Sequence, residues 1–164
     1  MNVSQEVLSQ IGLPPPSQIG VVVRDVEKAS GFFSSLLGVG PFTIYEFVPE
    51  KHWYLEEPSY VKLKMGKTMW GPLELELLQP LEGKSLHAEF LRTHGEGLQH
   101  LGINVRNYDE VFDRMKKEGF QPLMRAETFV ETYNGYLRAC YFDTRRVGGV
   151  IFEIIWKSWL PECR

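Results

Sequence analysis

At 164 residues, 18.9 kDa and 43% hydrophobic content, the chain suits one globular domain or two small joined halves, and it is too apolar for a disordered segment. A formal net charge of −3 and a pI near 5.8 provide no basic field for nucleic acid. No apolar run reaches bilayer-crossing length, and Met1 to Gly12, with Glu6, lacks the pattern of a secretory signal.

Pro14-Pro15-Pro16 ends whatever Val3 to Ile11 forms, a short helix or arm over 1–16. The β-branched run Gln18 to Arg24 predicts a strand. Asp25 then caps a helix over Val26 to Leu37 that stops at Gly38, with Phe32, Phe33, Leu36 and Leu37 as its buried face. Strands are expected at Phe42 to Val48, Tyr60 to Met65 and Leu73 to Leu78, with a long loop from Pro49 to Pro58 holding His52, Trp53 and Tyr54. Ser85 to His94 reads as a connecting helix within a linker over 81–97. Next come a strand (Leu98 to Val105), a helix (Tyr108 to Glu118) and strands at Gln121 to Thr132, Tyr136 to Phe142 and Gly149 to Trp156, then a tail over 158–164. Cys140 and Cys163 make no disulfide framework, and Cys140 sits in an apolar run as a reduced thiol.

Both halves share a phrase. Gln18-Ile-Gly-Val-Val-Val-Arg-Asp25 returns as His100-Leu-Gly-Ile-Asn-Val-Arg-Asn107, and Gly71-Pro-Leu-Glu-Leu-Glu-Leu-Leu78 as Gly148-Gly-Val-Ile-Phe-Glu-Ile-Ile155. Each half therefore reads β-α-β-β-β, over 17–80 and 98–157. The expected fold is α+β, with two tandem modules forming a curved, incompletely closed mixed sheet around a cavity. Strand alternation puts Ile19, Val21 and Val23, and likewise Leu101, Ile103 and Val105, against the helices. Gln18, Glu76, His100 and Glu153 then fall on the opposite, inner face. One nitrogen and several oxygens suit a divalent ion such as Zn, Co, Ni, Mn or Fe. Two carboxylates crowded in a half-buried cavity need a cation, or one of them stays protonated.

At these residues the chain resembles the vicinal oxygen chelate superfamily, which includes glyoxalase I, methylmalonyl-CoA epimerase, extradiol dioxygenases and bleomycin-resistance proteins. The resemblance runs from Ser17 to Trp156. It is strongest at Gln18 to Asp25, Glu76-Leu-Leu-Gln-Pro80, Gly95-Glu-Gly-Leu-Gln-His-Leu-Gly102 and Gly148 to Glu153. It implies metal ligation by Gln18, Glu76, His100 and Glu153, with Glu153 or Glu76 also able to serve as base.

The second and third of these passages look most like the epimerases, which remove the proton α to a thioester carbonyl and stabilise the enolate on the metal. The Gln-Glu-His-Glu set is similar to that of glyoxalase I, and the strand from Tyr60 to Lys64 carries no acid of the kind epimerases use as a second base. A metal-dependent isomerase, epimerase or lyase acting on a small carbonyl or acyl-thioester is therefore expected. A lactoylglutathione lyase and a non-catalytic drug-binding protein are the alternatives. Glu74, Asn104, Lys62, Arg138 and Trp53 are the candidate substrate contacts. A cytoplasmic homodimer is expected, with a small-molecule substrate and neither nucleic acid nor membrane as partner.

Overall fold

The computed structural model describes residues 11–146 and 148–163. The reading of Val3 to Ile11 as a helix or arm lies, apart from Ile11, outside the described residues. The elements are β1 (Gln18–Val22), α1 (Val26–Leu37), β2 (Thr43–Phe47), β3 (Lys51–Tyr54), β4 (Glu57–Pro58), β5 (Val61–Trp70), β6 (Leu73–Gly83) and α2 (Leu86–His94). After these come β7 (Gly97–Asn104), α3 (Tyr108–Lys117), β8 (Pro122–Val130), β9 (Gly135–Phe142) and β10 (Ile151–Lys157). The fold is α+β. One mixed sheet runs β2-β5-β6-β1-β7-β10-β9-β8-β3-β4 and curls into an open half-barrel.

The two repeats meet at the antiparallel β1–β7 seam, where Gln18 faces Gly102 and Gly20 faces His100. Outside that seam each repeat adds a parallel neighbour, β6 beside β1 and β10 beside β7. Glu76 therefore lies beside Gly20, and Glu153 beside Gly102. A pseudo-twofold between Ile19 and Leu101 relates the two arrangements.

Alternation along these strands divides the apolar side chains between two faces. One face packs under the helices: Val23 and Leu77 with Val26 of α1, and Ile103, Val105, Cys140, Phe142 and Ile154 with Met115 of α3. Bowl-side clusters form from Val61, Leu63, Met65 and Leu78, and from Leu123, Met124, Tyr141 and Ile151 with Leu86 of α2. Each such fully buried side chain contributes about 1.5–3 kcal/mol.

Two expectations are corrected. The buried stripe of α1 is Val26, Ala29, Ser30 and Phe33, whereas Phe32, Leu36 and Leu37 are 52%, 71% and 55% exposed. Rotation of the helix is set by its first turn, where Val26 packs directly onto Gly66, leaving room for no Cβ there. Residues 29, 30 and 33 follow Val26 inward, and residues 32, 36 and 37 turn out.

The expected loop over 49–58 is instead a hairpin, β3–β4, that leaves the first repeat and pairs with β8 on the far edge of the second. Its two-residue turn, Leu55-Glu56, has both φ angles positive, at 53° and 65°. A two-residue hairpin needs that geometry, but Asn and Gly supply it far more cheaply than Leu and Glu. Leu55→Asn is therefore expected to raise stability by about 1 kcal/mol, read as a higher urea midpoint with unchanged slope. An unchanged or lowered midpoint would show that the turn carries no such strain.

Candidate metal centre

Gly20 and Gly102 are the positions that let the seam hold side chains. A Cβ on Gly20 would overlap the His100 ring, and one on Gly102 would come within 2.5 Å of Gln18 Oε1. The two candidate ligands on the seam thus lie across the opposite strand's glycine, His100 over Gly20 and Gln18 over Gly102.

A register slip between Gly20 and Val21 makes Gln99 the extra residue on β7. Gln99 and His100 are consecutive, yet both are buried. The Gln99 amide donates to the Leu86 carbonyl at 3.2 Å. Its Oε1 lies 2.7 Å from His87 Nδ1 and 3.2 Å from His100 Nδ1. With the amide nitrogen committed, Oε1 accepts from both rings, and each imidazole carries its proton on Nδ1. His100 Nε2 is then a lone pair, buried and without a hydrogen-bond partner, 3.6 Å from Glu76 Oε2 and 3.4 Å from Glu153 Oε2. Tyr141 closes the pocket, its ring edge-on to those of His87 and His100 at 5.3 Å and 5.0 Å.

Glu76, His100 and Glu153 each offer one ligand atom, all within 4.8 Å of one another. All three are at most 4% exposed. Gln18, also buried, donates from Nε2 to Glu74 at 2.8 Å, leaving its Oε1 without a partner. Three buried atoms (His100 Nε2, Glu153 Oε2 and Gln18 Oε1) thus want a partner that the polypeptide does not give them. A divalent cation fits that donor set.

The sequence matches the model of the glyoxalase/bleomycin resistance protein/dioxygenase superfamily over residues 17–141. The chain belongs to this superfamily. An uncharacterised Bacillus subtilis protein, YqjC, is 25% identical over 136 residues, which span 83% of this chain and 87% of YqjC. Similar solved structures include a hypothetical protein of Bacillus halodurans, BH1468, at 20% identity and a TM-score of 0.59, covering 86% of this chain and 92% of that one. A variant Streptomyces coelicolor methylmalonyl-CoA epimerase in complex with 2-nitronate-propionyl-CoA gives 20% identity and a TM-score of 0.61, covering 87% and 96%. The Mycobacterium tuberculosis methylmalonyl-CoA epimerase gives 19% and 0.59, covering 87% of each chain. At these identities the likeness is one of fold.

In this superfamily member the two carboxylates occupy equivalent positions, but their cross-strand neighbours differ. Glu76 faces Lys67 on β5, and Glu153 faces Tyr141 on β9. Burial would push Glu76 up. The Lys67 ammonium, 2.8 Å from Oε1, overrides it and holds the carboxyl well below the usual range. Glu153 has the Tyr141 hydroxyl as a donor and no lysine beside it among the described residues. Burial, reinforced by the Glu76 charge, pushes it up to about 7. One carboxylate is therefore fixed as an anion, while the other exchanges its proton near neutrality, a division typical of an acid–base site.

The remaining candidates divide by face. Glu74 lies on the bowl side, holding both Gln18 and Lys67, the latter at 3.3 Å. Asn104 shares the face of His100, its Oδ1 buried and without a hydrogen-bond partner. Lys62, Arg138 and Trp53 are not brought there. Lys62 pairs with Glu46, on the same face as Lys64, which reaches Glu27 of α1. Arg138 grips Asp109 of α3 with two hydrogen bonds and lies over the Tyr108 ring. Trp53 stacks under Arg125, which also covers Phe112 of α3. All three serve the helix-bearing face. Of the hairpin residues it is His52 and Tyr54 that turn inward, Tyr54 onto the Leu86–Tyr141 cluster.

Sequence reasoning missed Lys67, Gln99, His87 and Tyr141. It also missed Tyr45, whose pKa burial raises and whose hydroxyl interacts with Lys67. The bowl opens on this first-repeat side. The Lys67 and Glu74 side chains are 20% and 26% exposed, and Met69, next after Lys67 on the same face of β5, is exposed.

Proposed function

We propose that the chain is a metal-dependent isomerase, epimerase or lyase that abstracts a proton α to the carbonyl of a small carbonyl or acyl-thioester compound. The observation that carries this reading is the split between two pseudo-equivalent buried carboxylates around one unpartnered histidine nitrogen. Gln18, Glu76, His100 and Glu153 would hold a divalent ion of the Zn, Co, Ni, Mn or Fe group. Such an ion, when bound, supplies Lewis acidity toward a carbonyl oxygen.

The residues do the rest. Gln99 keeps the His100 lone pair pointed at the site. Lys67 keeps Glu76 ionised and fixed. Glu153, which among the described residues has no fixed cation beside it as Glu76 has in Lys67, takes the α-proton and returns it. Tyr141 donates to the Glu153 carboxylate and holds its orientation. Substrate approaches past Lys67 and Glu74, the partly exposed polar residues of the site, with Met69 on the same strand face. The epimerase complexes with propionyl-CoA derivatives among the structural neighbours favour an acyl-thioester within this class.

The Gln-Glu-His-Glu donor set supports a lactoylglutathione lyase as the second reading, and an assay of thioester formation from methylglyoxal and thiol separates the two. The remaining partners follow from the same reading: a small-molecule substrate, no nucleic acid and no membrane surface, with the protein a cytoplasmic homodimer. No helix among the described residues is long and apolar enough to cross a membrane. The test is proton exchange in deuterated water. Protein loaded with Co or Zn is expected to exchange the α-proton of acyl-CoA or ketone substrates, and chelated protein is not. Equal rates with and without metal would overturn the reading.

A further inference from the structure

Lys67 is bound to the very carboxylate that the metal reading requires. Its Nζ lies 2.8 Å from Glu76 Oε1 and 3.3 Å from Glu74 Oε1. The other oxygen, Glu76 Oε2, is the one that faces His100 Nε2. Glu74 also receives the Gln18 amide, so Lys67, Glu74 and Gln18 form one continuous chain along the wall of the site. The second repeat holds no counterpart: at the position equivalent to Lys67 stands Tyr141, a neutral hydroxyl. The repeat thus places a fixed cation beside one of its two carboxylate ligands and not beside the other.

We propose that Lys67 is a tethered cation that shares Glu76 with the bound metal, restricting that carboxylate to its Oε2 oxygen and lowering the affinity of the centre. The proposal rests on the metal reading given above. An ammonium hydrogen-bonded to one carboxylate oxygen draws electron density from the other and leaves a single oxygen for ligation. It also stands beside the incoming ion as a like charge, in surroundings where charge is poorly screened. Both effects weaken binding and leave the ion short of donor charge, which keeps it a stronger acceptor toward a substrate oxygen. Glu74 is where the ammonium goes when the ion draws on Glu76, because it already lies within ion-pair distance. Lys67 is on this account a residue that sets metal affinity and coordination. A lysine that merely buttressed Glu76 would have the opposite effect when removed.

The test compares Co binding by the full-length wild-type protein with that of Lys67→Met and Lys67→Arg, by calorimetry and by the visible absorption of bound Co. Lys67→Met is expected to bind Co about ten- to a hundredfold more tightly. Its weaker absorption bands should report an added carboxylate oxygen. Lys67→Arg keeps the charge and is expected to bind no more tightly than wild type, guarding against a nonspecific effect at this position. If Lys67→Met is folded by circular dichroism and binds Co equally or more weakly, the tethered-cation role is overturned while the metal centre stands. If neither the wild type nor Lys67→Met binds Co, the metal reading itself falls and the proposal with it. If Lys67→Met does not fold, Lys67→Gln, which keeps a hydrogen bond to Glu76 without the charge, takes its place with the same expected tightening.

Discussion

Glu153→Gln is expected to lower α-proton exchange about a thousandfold, within the range for loss of a general base. It should also flatten the pH dependence of metal binding. The amide preserves shape and offers an oxygen to the site, so Co binding should survive, weakened. In the wild type, Glu153 is held up to about 7, against an ordinary value of 4.5, and must lose its proton to serve as a ligand. Metal affinity should therefore rise about tenfold per pH unit between 4.5 and 7 and level off above.

The stability of metal-free protein should run the other way. Folding favours the protonated carboxyl, so the folded chain binds more protons than the unfolded one across this window. That contribution is present below 4.5 and is lost as pH rises through 7. Glutamine removes the effect. Calorimetry in buffers of different ionisation enthalpy reads the proton release directly. A Glu153→Gln protein that turns over normally, or still releases a proton on binding Co, would sink the assignment of Glu153 as base. Glu76→Gln is the contrasting variant. Lys67 would be left with Glu74 alone and one anionic ligand would be gone, so metal binding and stability should both fall.

Why the sequence reveals which polar residues share the inner face but not the asymmetry among them follows from what each signal measures. Period-two alternation is a backbone property, so the inner face of Gln18, Glu76, His100 and Glu153 can be read from the apolar residues between them. Lys67 is hidden because the expected strand ends at Met65. In the structure β5 runs on to Trp70, and only the cross-strand register pairs Lys67 with Glu76. Gln99 is hidden because a bulge puts two consecutive residues inward, which alternation forbids. The hairpin escaped because Leu55-Glu56 carries no turn chemistry. Lys62, Arg138 and Trp53 misled because a residue opposite an apolar stripe can equally be held on the helix-bearing face, here by Glu46, Asp109 and Arg125 respectively. The α1 face was misread because side-chain hydrophobicity does not report helix rotation, which the Val26–Gly66 contact decides.

Gly20→Ala is the substitution with the largest structural consequence for the site. The added methyl would overlap the His100 imidazole. That ring is clamped by Gln99 at Nδ1 and by Tyr141 edge-on, so it cannot turn aside without breaking both contacts. The expected cost is about 3 kcal/mol of stability, at the upper end for overpacking a core, with at least a hundredfold loss of metal affinity. His100→Ala removes the obstruction, so the double variant should be more stable than the sum of the single effects by about 2 kcal/mol, while still failing to bind metal. Gly102→Ala provides the internal comparison. Its methyl meets Gln18 Oε1 at 2.5 Å and Gln18 Cβ and Ile155 Cδ1 at 2.9 Å, an overlap less deep than the 1.8 Å approach to the His100 ring at Gly20, so the damage there should be real but smaller. Chemical denaturation of the four proteins closes the cycle. Additive effects at Gly20 and His100, or a Gly102→Ala as damaging as Gly20→Ala, would mean that the ring does not lie across Gly20, and the geometry of the triad would have to be drawn again.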